Sequence, residues 1–233
     1  MLDRTLVVIP ARGGSKSIPW KQLSQLGGRT ITGHSIRHAK IAGFKDEQII
    51  VSSQSPEILK ETEYNGGTPL LRPEEISGPL SRTEETMRHA LNCFPYYEYV
   101  MVLQPTSPIR KRGRIQEVLD KAAEFDSVST VTRLFPFFFH QTSEGFKRND
   151  WLKARPMKQM IPAESYYHFD CGNIYLTKVS VLFDKDDRIS DHHGVVEISL
   201  MESMQIDSTE ELEMLQIVFG KGIENFTGVP NSV

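Results

Sequence analysis

The stretch that decides the fold is TLVVIPARGGSKSIPWKQ, residues 5–22. It begins with a short, continuous run of apolar and mostly β-branched residues, which is typical of a parallel strand covered on both faces. Pro10 ends the run, and a glycine-rich, positively charged loop follows. The pattern predicts a buried strand that leads directly into an exposed polar loop.

This loop has the composition of an anion-binding site. Gly13 and Gly14 allow a sharp turn that brings backbone N–H groups close to phosphate oxygens. The side chains suited to a polyanion are Arg12, Ser15, Lys16 and Lys21. Neither G-x-x-x-x-G-K-[ST] nor G-x-G-x-x-G occurs, so the loop is not one of the two commoner phosphate loops. Taken alone, the segment also fits an ordinary solvated turn between a strand and a helix.

Length, charge and cysteine content limit the classes of protein. The 233 residues suffice for one large domain, and the net charge of -3 lacks the basic excess that is usual in nucleic-acid binders. No run of about 18 apolar residues is present, and the first apolar run is too short for a signal peptide. Cys93 and Cys171 lie far apart, without metal-ligand spacing. We therefore expect a cytoplasmic protein that binds neither nucleic acid nor membrane.

Strand and helix patterns alternate along most of the chain. After the first strand, further strands are predicted at residues 48–52, 68–71, 99–103, 127–132, 172–177 and 195–200. Helical patterns separate most of them, and S-x-x-E capping boxes at Ser81 and Ser208 predict the starts of two helices. A short strand is also predicted to end at Asp207. This alternation is typical of βαβ units, so we expect an α/β fold with a mostly parallel sheet.

Residues 133–167 interrupt the alternation. The segment begins with FPFFF at 135–139 and then shows no clear helical or strand period. An insertion of this length in a compact domain is usually an arm, a lid or a subunit contact. We expect one domain over residues 1–233 with 133–167 as an arm. The aromatic run would suit either core packing or a dimer interface.

Five motifs, in this order and spacing, resemble the cytidylyltransferases that activate nonulosonic acids, such as acylneuraminate cytidylyltransferases. They are PARGGSKSIPWKQ, IIVSS, LLRPEE, VLQPTSPIR and QIDSTEELE, and they extend over nearly the whole chain. The resemblance implies a Rossmann-like nucleotidyltransferase fold of the glycosyltransferase-A type. It also implies transfer of CMP from CTP to the anomeric hydroxyl of a nine-carbon keto-sugar acid, a requirement for Mg2+, and a homodimer.

The resemblance assigns site residues position by position. The nucleotide would contact Ala11, Arg12, Gly13, Gly14, Ser15, Lys16, Lys21, Gln22, Arg72 and Thr83. The sugar would contact Gln104, Thr106, Ser107 and Asp170. Asp207 matches the last aspartate of the family's D-x-D metal motif, and Arg12, Lys21 and Asp207 would carry catalysis. Independently of the resemblance, Asp207 could also be a carboxylate that is favoured simply because it lies near a helix N-terminus.

Several positions depart from the family pattern. Gln22 replaces an asparagine, Gln54 replaces a common aspartate, and Gln205 replaces the first aspartate of the metal pair. The segment DCGNIY at 170–175 is closer to the D-A-G-Q-F-Y of pseudaminic-acid members than to the pattern of sialic-acid members. These departures leave open a nucleotide-binding protein without catalysis, or a nucleotidyltransferase for another base or sugar. A Rossmann oxidoreductase is disfavoured because its glycine fingerprint is missing.

Two further polar groups have more than one interpretation. Asp170 could be a second metal ligand, an acceptor contact or a cap at a strand end. His192 and His193 stand beside Asp191 in a polar segment, DDRISDHHG, and such adjacent histidines are more often solvated than metal-bound.

Overall fold

A seven-stranded sheet forms the centre of the computed structural model, which describes residues 1–14, 17–148, 156–223 and 227–228. The strands along the chain are β1 (Thr5–Pro10), β2 (Gln25–Leu26), β3 (Arg29–Thr30), β4 (Ile49–Ser53), β5 (Thr68–Leu71), β6 (Tyr99–Leu103), β7 (Ser127–Leu134), β8 (Phe139–Thr142), β9 (Gly145–Arg148), β10 (Tyr167–Lys178) and β11 (His193–Ile198). The large sheet has the order β11-β7-β10-β6-β1-β4-β5. β2 with β3, and β8 with β9, form separate two-stranded hairpins.

The predicted mostly parallel sheet is confirmed. β1 pairs in parallel with β4 and β6, β4 with β5, and β7 with β11. Among the described strands of this large sheet, β10 alone runs antiparallel to its neighbours, β6 and β7. The central strands are covered on both faces, which is why the sequence of β1 is apolar throughout rather than alternating.

Helices flank the sheet. They are α1 (Ile31–Ile41), α2 (Pro56–Tyr64), α3 (Thr83–Cys93), α4 (Arg114–Lys121), α5 (Val179–Lys185) and α6 (Thr209–Gly220). In the part of the chain that the structure describes, no helix has the length and apolar character needed to cross a bilayer.

Local capping explains where two of these helices begin. At α6 the predicted box is confirmed, since Ser208 Oγ accepts from the Glu211 N–H and the Glu211 carboxylate accepts from the Ser208 N–H. The box predicted from Ser81 is wrong. α3 begins at Thr83, and the Glu85 carboxylate accepts a 2.7 Å hydrogen bond from the Arg82 N–H.

Alternate residues of the strands supply the cores on the two faces of the sheet. Val7 and Ile9 of β1 pack with apolar residues of α1, α2 and α4. Leu6 and Val8 pack on the opposite face with residues of α3 and α5. Full burial of a side chain of this size is worth about 1.5–3 kcal/mol, so the strand residues anchor both layers. A third cluster joins α6 to α1 and the β2–β3 hairpin.

The segment 133–167 has more strand than its sequence pattern indicates. β7 continues to Leu134, β10 begins at Tyr167, and the β8–β9 hairpin lies between them, while residues 149–155 are outside the described part. Phe135, Phe138 and Phe139 are exposed, which contradicts the core-packing alternative. The helix α5, which lies between β10 and β11, was not predicted from the sequence.

Candidate active site

The carboxyl ends of β1, β5 and β6 border a cleft of about 290 Å3, which we call the cationic cleft. Its lining consists of Pro10, Arg12, Lys21, Gln22, Arg72, Pro79, Ser81, Arg82, Thr83, Thr86, Gln104, Thr106 and Asp207. Four of these side chains are cations and one is a carboxylate. Ligands of open α/β sheets usually bind at this edge, where the strands end.

The glycine loop after β1 is held against β4 and the start of α2. Ala11 is fully buried, and its N–H donates a 3.0 Å hydrogen bond to the carbonyl of Ser52. The Gly13 N–H donates to Gln54 Oε1 at 3.3 Å. A Cβ at position 13 would lie 2.8 Å from Ser55 Cβ, so this close approach requires glycine. Gln54 therefore supports the loop itself.

Among residues 11–14, which the structure describes and which were assigned to the nucleotide, Arg12 alone lines the cleft. Arg12 Nη1 donates to the carbonyl of Gly78 at 3.3 Å. Ala11, Gly13 and Gly14 do not line the cleft. The predicted contributions of Ser15 and Lys16 lie outside the described residues.

Lys21 is a buried cation at the base of the cleft. Trp20 adopts a left-handed conformation with φ of 55°, which is uncommon for a bulky residue and turns the chain just before Lys21. Lys21 Nζ donates a 2.7 Å hydrogen bond to the carbonyl of Ile206 and lies 3.4 Å from Asp207 Oδ1. The first motif and the last one therefore meet at this ammonium group.

Arg72 is a second buried cation, placed where β5 ends. Its Nε donates to Ser52 Oγ at 3.1 Å, and its guanidinium also donates to the carbonyl of Ser52. Burial and the nearby charge of Arg12 lower the pKa of Arg72 to about 10, so it remains protonated at neutral pH. No carboxylate among the described residues forms an ion pair with it. A buried, unpaired cation favours an anionic ligand.

Arg82 lines the cleft and was missed from the sequence. It precedes α3, and it donates to the Asp186 carboxylate at 2.9 Å and to the Asp186 carbonyl at 2.8 Å. Thr83, which was assigned to the nucleotide, follows it in the same lining. The signal available was a cation within the predicted capping box at 81–84, but the direction of the Arg82 side chain depends on Asp186, which is distant in sequence.

Gln22 lies in the cleft with an unsatisfied acceptor. Its side chain is 6 % exposed, and its Oε1 has no hydrogen-bond partner among the described residues. Its backbone is anchored because Thr32 Oγ1 donates to the Gln22 carbonyl at 3.1 Å. A buried acceptor left unpaired costs about 1–3 kcal/mol, and a ligand donor would relieve that cost.

Of the four residues assigned to the sugar, two line the cationic cleft and two do not. Gln104 and Thr106 line the cationic cleft. Ser107 is fully buried, and its hydroxyl donates to the Gly172 carbonyl at 3.5 Å. Asp170 does not line the cleft; its carboxylate accepts from the Tyr175 hydroxyl at 2.7 Å and from the Gly172 N–H at 3.1 Å. These bonds give Asp170 a local role in the bulge of β10.

Asp207 is the carboxylate of the cleft. The prediction of a strand ending there is wrong, since residues 204–207 form a loop anchored by the Ile206 N–H, which donates to the Thr106 carbonyl at 2.9 Å. The Asp207 side chain is 66 % exposed. Gln205, at the place of the family's other aspartate, donates its amide to the Cys171 carbonyl.

Both histidines of the pair at 192–193 contact polar side chains of the protein. The ring nitrogens of His193 lie 2.7 Å from Ser127 Oγ and 2.9 Å from Ser129 Oγ, so this side chain links β11 to β7 instead of being solvated. Within the described ranges, no group of three or more His, Cys, Asp or Glu side chains could hold a metal ion.

Solved structures with this fold include nucleotidyltransferases. A CMP:2-keto-3-deoxy-manno-octonic acid synthetase complexed with CTP superimposes with a TM-score of 0.67 over 94% of this chain and 99% of that one, at 15% identity. A 4-diphosphocytidyl-2C-methyl-D-erythritol synthase from Anaerococcus prevotii gives a TM-score of 0.64 over 93% of this chain and 98% of that one, at 12% identity. At these identities the likeness concerns the fold.

Sequence relatives extend the comparison. The pseudaminic acid cytidylyltransferase of Campylobacter jejuni is 24% identical over 93% of this chain and 96% of its own length. The CMP-N,N'-diacetyllegionaminic acid synthase of Legionella pneumophila is 34% identical over 50% of this chain and 52% of its own. The model of the cytidylyltransferase family matches residues 6–162, which is more than half of the chain. The chain therefore belongs to the cytidylyltransferase family.

Proposed function

We propose that the protein transfers CMP from CTP to the anomeric hydroxyl of a nonulosonic acid and releases pyrophosphate. The observation that carries this proposal is the cationic cleft, where the buried cations Lys21 and Arg72 share one lining with the carboxylate of Asp207. The relatives named for pseudaminic and legionaminic acids support the class of acceptor.

The arrangement suits a triphosphate better than a neutral ligand. Arg12, Lys21, Arg72 and Arg82 bring four positive charges to one small cleft, and only Arg82 and Lys21 have carboxylate partners among the described residues. Positive charge at this place compensates the charge that develops on the departing pyrophosphate. Gln22 adds a free acceptor that could take a hydrogen bond from the nucleotide.

In the reaction, the anomeric oxygen of the acceptor forms a bond to the α-phosphorus of CTP. The bond from that phosphorus to the oxygen bridging to the β-phosphate breaks, and the proton of the hydroxyl is released. Gln104 and Thr106 lie in the same lining as the cations, which supports a role for them in holding the acceptor oxygen near the nucleotide.

The residues present fit a magnesium ion held partly by substrate. Asp207 offers an exposed carboxylate in the cleft, and Mg2+ commonly uses one or two carboxylates together with substrate phosphates and water. A bound ion would neutralise phosphate charge and orient the leaving group. Gln205 does not complete a carboxylate pair because it carries a neutral amide, whose nitrogen donates to the Cys171 carbonyl.

The test is a direct assay of turnover. Purified full-length protein is incubated with CTP, MgCl2 and a panel of sialic, legionaminic and pseudaminic acids, and pyrophosphate release is measured. We expect release with at least one acceptor, and none with UTP, ATP or GTP at the same concentration. Calorimetric binding of CTP without turnover of any acceptor would indicate a nucleotide-binding protein and overturn the proposal.

We also propose that the protein is a cytoplasmic homodimer. The arm exposes apolar side chains that a monomer would leave in water, including Phe139 at 65%, Phe146 at 73% and Met160 at 64%. The two cysteines are unpaired, as in proteins of a reducing compartment. Light scattering after size exclusion should give twice the 26.5 kDa chain mass, and a Phe146→Asp variant should give less dimer.

A further inference from the structure

A second pocket, which we call the α4 pocket, lies at the start of α4 and is separate from the cationic cleft. It has a volume of about 210 Å3 and shares no lining residue with the cleft. Its lining comes from the end of α1, with His38, Ile41 and Ala42, and from residues 110–113, Ile115 and Gln116. The chain between β6 and α4 therefore contributes to both places, since Gln104 and Thr106 line the cleft.

The charges in the lining of the α4 pocket are all positive. Arg110, Lys111 and Arg112 belong to it, whereas no aspartate or glutamate does so among the described residues. Glu202 lies close enough to act on the charge of Arg110, but its carboxylate already accepts hydrogen bonds of 2.9 and 3.0 Å from Arg114. An excess of positive charge in a pocket attracts anions.

Arg110 is a buried cation in the wall of this pocket, with 1% of its surface exposed. Its Nη2 donates to the carbonyls of Gln104 at 2.8 Å and Asn173 at 3.0 Å, and its Nη1 donates to Ser35 Oγ at 3.3 Å. Its Nε has no partner in the part of the chain that the structure describes. Burial lowers the pKa of Arg110 to about 9, so it stays protonated at neutral pH. Because these acceptors are all neutral, the buried charge favours an anionic ligand.

The first turn of α4 forms another wall of the pocket. The helix begins after Gly113, whose φ of 86° is left-handed, and no side chain among the described residues caps it. Ile115 and Gln116, in the first turn, line the pocket. The N–H groups of a first helical turn lack partners within the helix and carry partial positive charge. They therefore add to the attraction that Arg110 exerts on an anion.

The end of α1 supplies a neutral ring and apolar surface. His38 is 7% exposed, and its Nδ1 has no partner among the residues that the structure describes. Burial and the charge of Arg110 hold the pKa of His38 well below its ordinary value near 6.5, so the imidazole is neutral at pH 7. Ile41 and Ala42 lie beside it in the lining. The pocket thus combines a cationic side with an apolar side.

We propose that the α4 pocket binds a phosphate monoester with a compact apolar substituent. The phosphate lies at the first turn of α4 near Arg110 and Arg112, and the substituent contacts Ile41 and Ala42. Phosphate suits this place because its oxygens can accept from several N–H groups of a helix start at once. The volume of about 210 Å3 is below the range of about 300–1,000 Å3 that is usual for drug-sized ligands, which limits the size of the substituent.

The experiment is a calorimetric titration of the full-length protein with phenyl phosphate. We expect a Kd on the order of 1 mM or lower. The Kd for inorganic phosphate should be about 10-fold higher, because that probe makes no apolar contact. Arg12→Glu reverses a charge of the cationic cleft, so the binding that persists in this variant belongs to the α4 pocket. Absence of binding, or equal Kd values for the two probes in Arg12→Glu, overturns the proposal.

Two further variants locate the probe. Gln116→Glu adds a carboxylate beside the start of α4 and should raise the Kd for phenyl phosphate about 10-fold. Arg112→Gln removes a cation and should raise it about 5-fold. Both side chains are exposed, so folding is little affected. Gln216→Glu and Arg133→Gln are the matched controls, since they make the same changes at exposed side chains outside the pocket, and they should leave the Kd unchanged.

The pattern across the variants separates the two places where an anion can bind. If Arg12→Glu abolishes binding and the two variants of the α4 pocket retain it, the probe occupies the cationic cleft alone and the proposal is overturned. Urea unfolding of each variant shows whether a lost affinity is a loss of fold. Gln116→Glu and Arg112→Gln proteins that are as stable as the parent and bind phenyl phosphate equally well overturn the proposal too.

Discussion

Lys21 and Asp207 form an ion pair in the cationic cleft, with Lys21 Nζ 3.4 Å from Asp207 Oδ1. The same ammonium group donates a 2.7 Å hydrogen bond to the carbonyl of Ile206. Lys21 is buried and Asp207 is mostly exposed, so the lysine is held by the protein while the carboxylate remains accessible to a ligand. Ion pairs with one exposed partner contribute little to stability, which points to binding and chemistry as the role of Asp207.

Asp207→Asn should therefore separate activity from stability. We expect kcat to fall on the order of 100-fold at a fixed Mg2+ concentration, because the charge that helps to hold the ion is removed. The free energy of unfolding should change by less than about 0.5 kcal/mol, since the side chain is exposed. Pyrophosphate release over a series of MgCl2 concentrations and urea unfolding measure the two effects. Glu210→Gln, an exposed neighbour outside the cleft, is the control, and equal activity of both variants would remove Asp207 from the mechanism.

Gln22→Met should have opposite effects on folding and on binding. The substitution removes a buried acceptor without a partner among the described residues, so the free protein should be unchanged or about 1 kcal/mol more stable. The Kd for CTP should rise about 10-fold, because one hydrogen bond to the nucleotide is lost. Calorimetry with CTP and urea unfolding provide the two values. Unchanged CTP affinity would show that the Gln22 acceptor does not contact the nucleotide, and Gln25→Met, whose exposed side chain lies outside the cleft, should alter neither value.

Gln205→Glu tests why an amide replaces the family's aspartate. A carboxylate cannot donate to the Cys171 carbonyl, so the variant should lose about 1–3 kcal/mol of stability. Gln216→Glu makes the same chemical change at an exposed side chain that donates to the Gln25 carbonyl at 3.3 Å. The control should lose less than about 0.5 kcal/mol. If urea unfolding shows the same loss of stability in Gln205→Glu and Gln216→Glu, the hydrogen bond of Gln205 contributes no more than that of an exposed side chain.

The stability of the protein should fall as the pH falls below neutral. Burial lowers the pKa of His34 from its ordinary value near 6.5 to about 4, so the unfolded chain takes up a proton at a pH where the folded chain does not. The stabilisation is fully present above about pH 6.5 and is lost toward pH 4, at about 1.4 kcal/mol per pH unit. Urea unfolding at pH 7.5 and pH 5 should therefore differ by about 2 kcal/mol from His34 alone.

The matched variant for this prediction is His34→Gln. It should reduce the fall in the free energy of unfolding between pH 7.5 and pH 5. The buried His38, whose pKa is also lowered by burial, should continue to contribute to that fall. An equal loss in the variant and the parent protein would show that His34 is not the group responsible.

Much of the fold follows from local sequence patterns. The continuous apolar run of β1 predicts a strand covered on both faces, and Ser208 with Glu211 predicts the start of α6, because each pattern depends on residues close in sequence. The Ser81 box fails because a competing pair, Glu85 and the Arg82 N–H, lies one residue further along. The extent of β10 was underestimated, since its first residues pair with the end of β7 across the fold.

In the candidate site too, some features follow from local sequence and others depend on contacts between distant residues. The sequence by itself determined that a glycine loop with cations follows a buried strand, and that Arg72, Gln104 and Asp207 belong to motifs of one family. Only the tertiary structure decided that Lys21 contacts Asp207, that Arg82 joins the cleft, and that Ser107 and Asp170 lie outside its lining. The physical reason is that strand and loop formation depend on neighbouring residues, whereas the meeting of side chains 186 positions apart depends on how the sheet is packed.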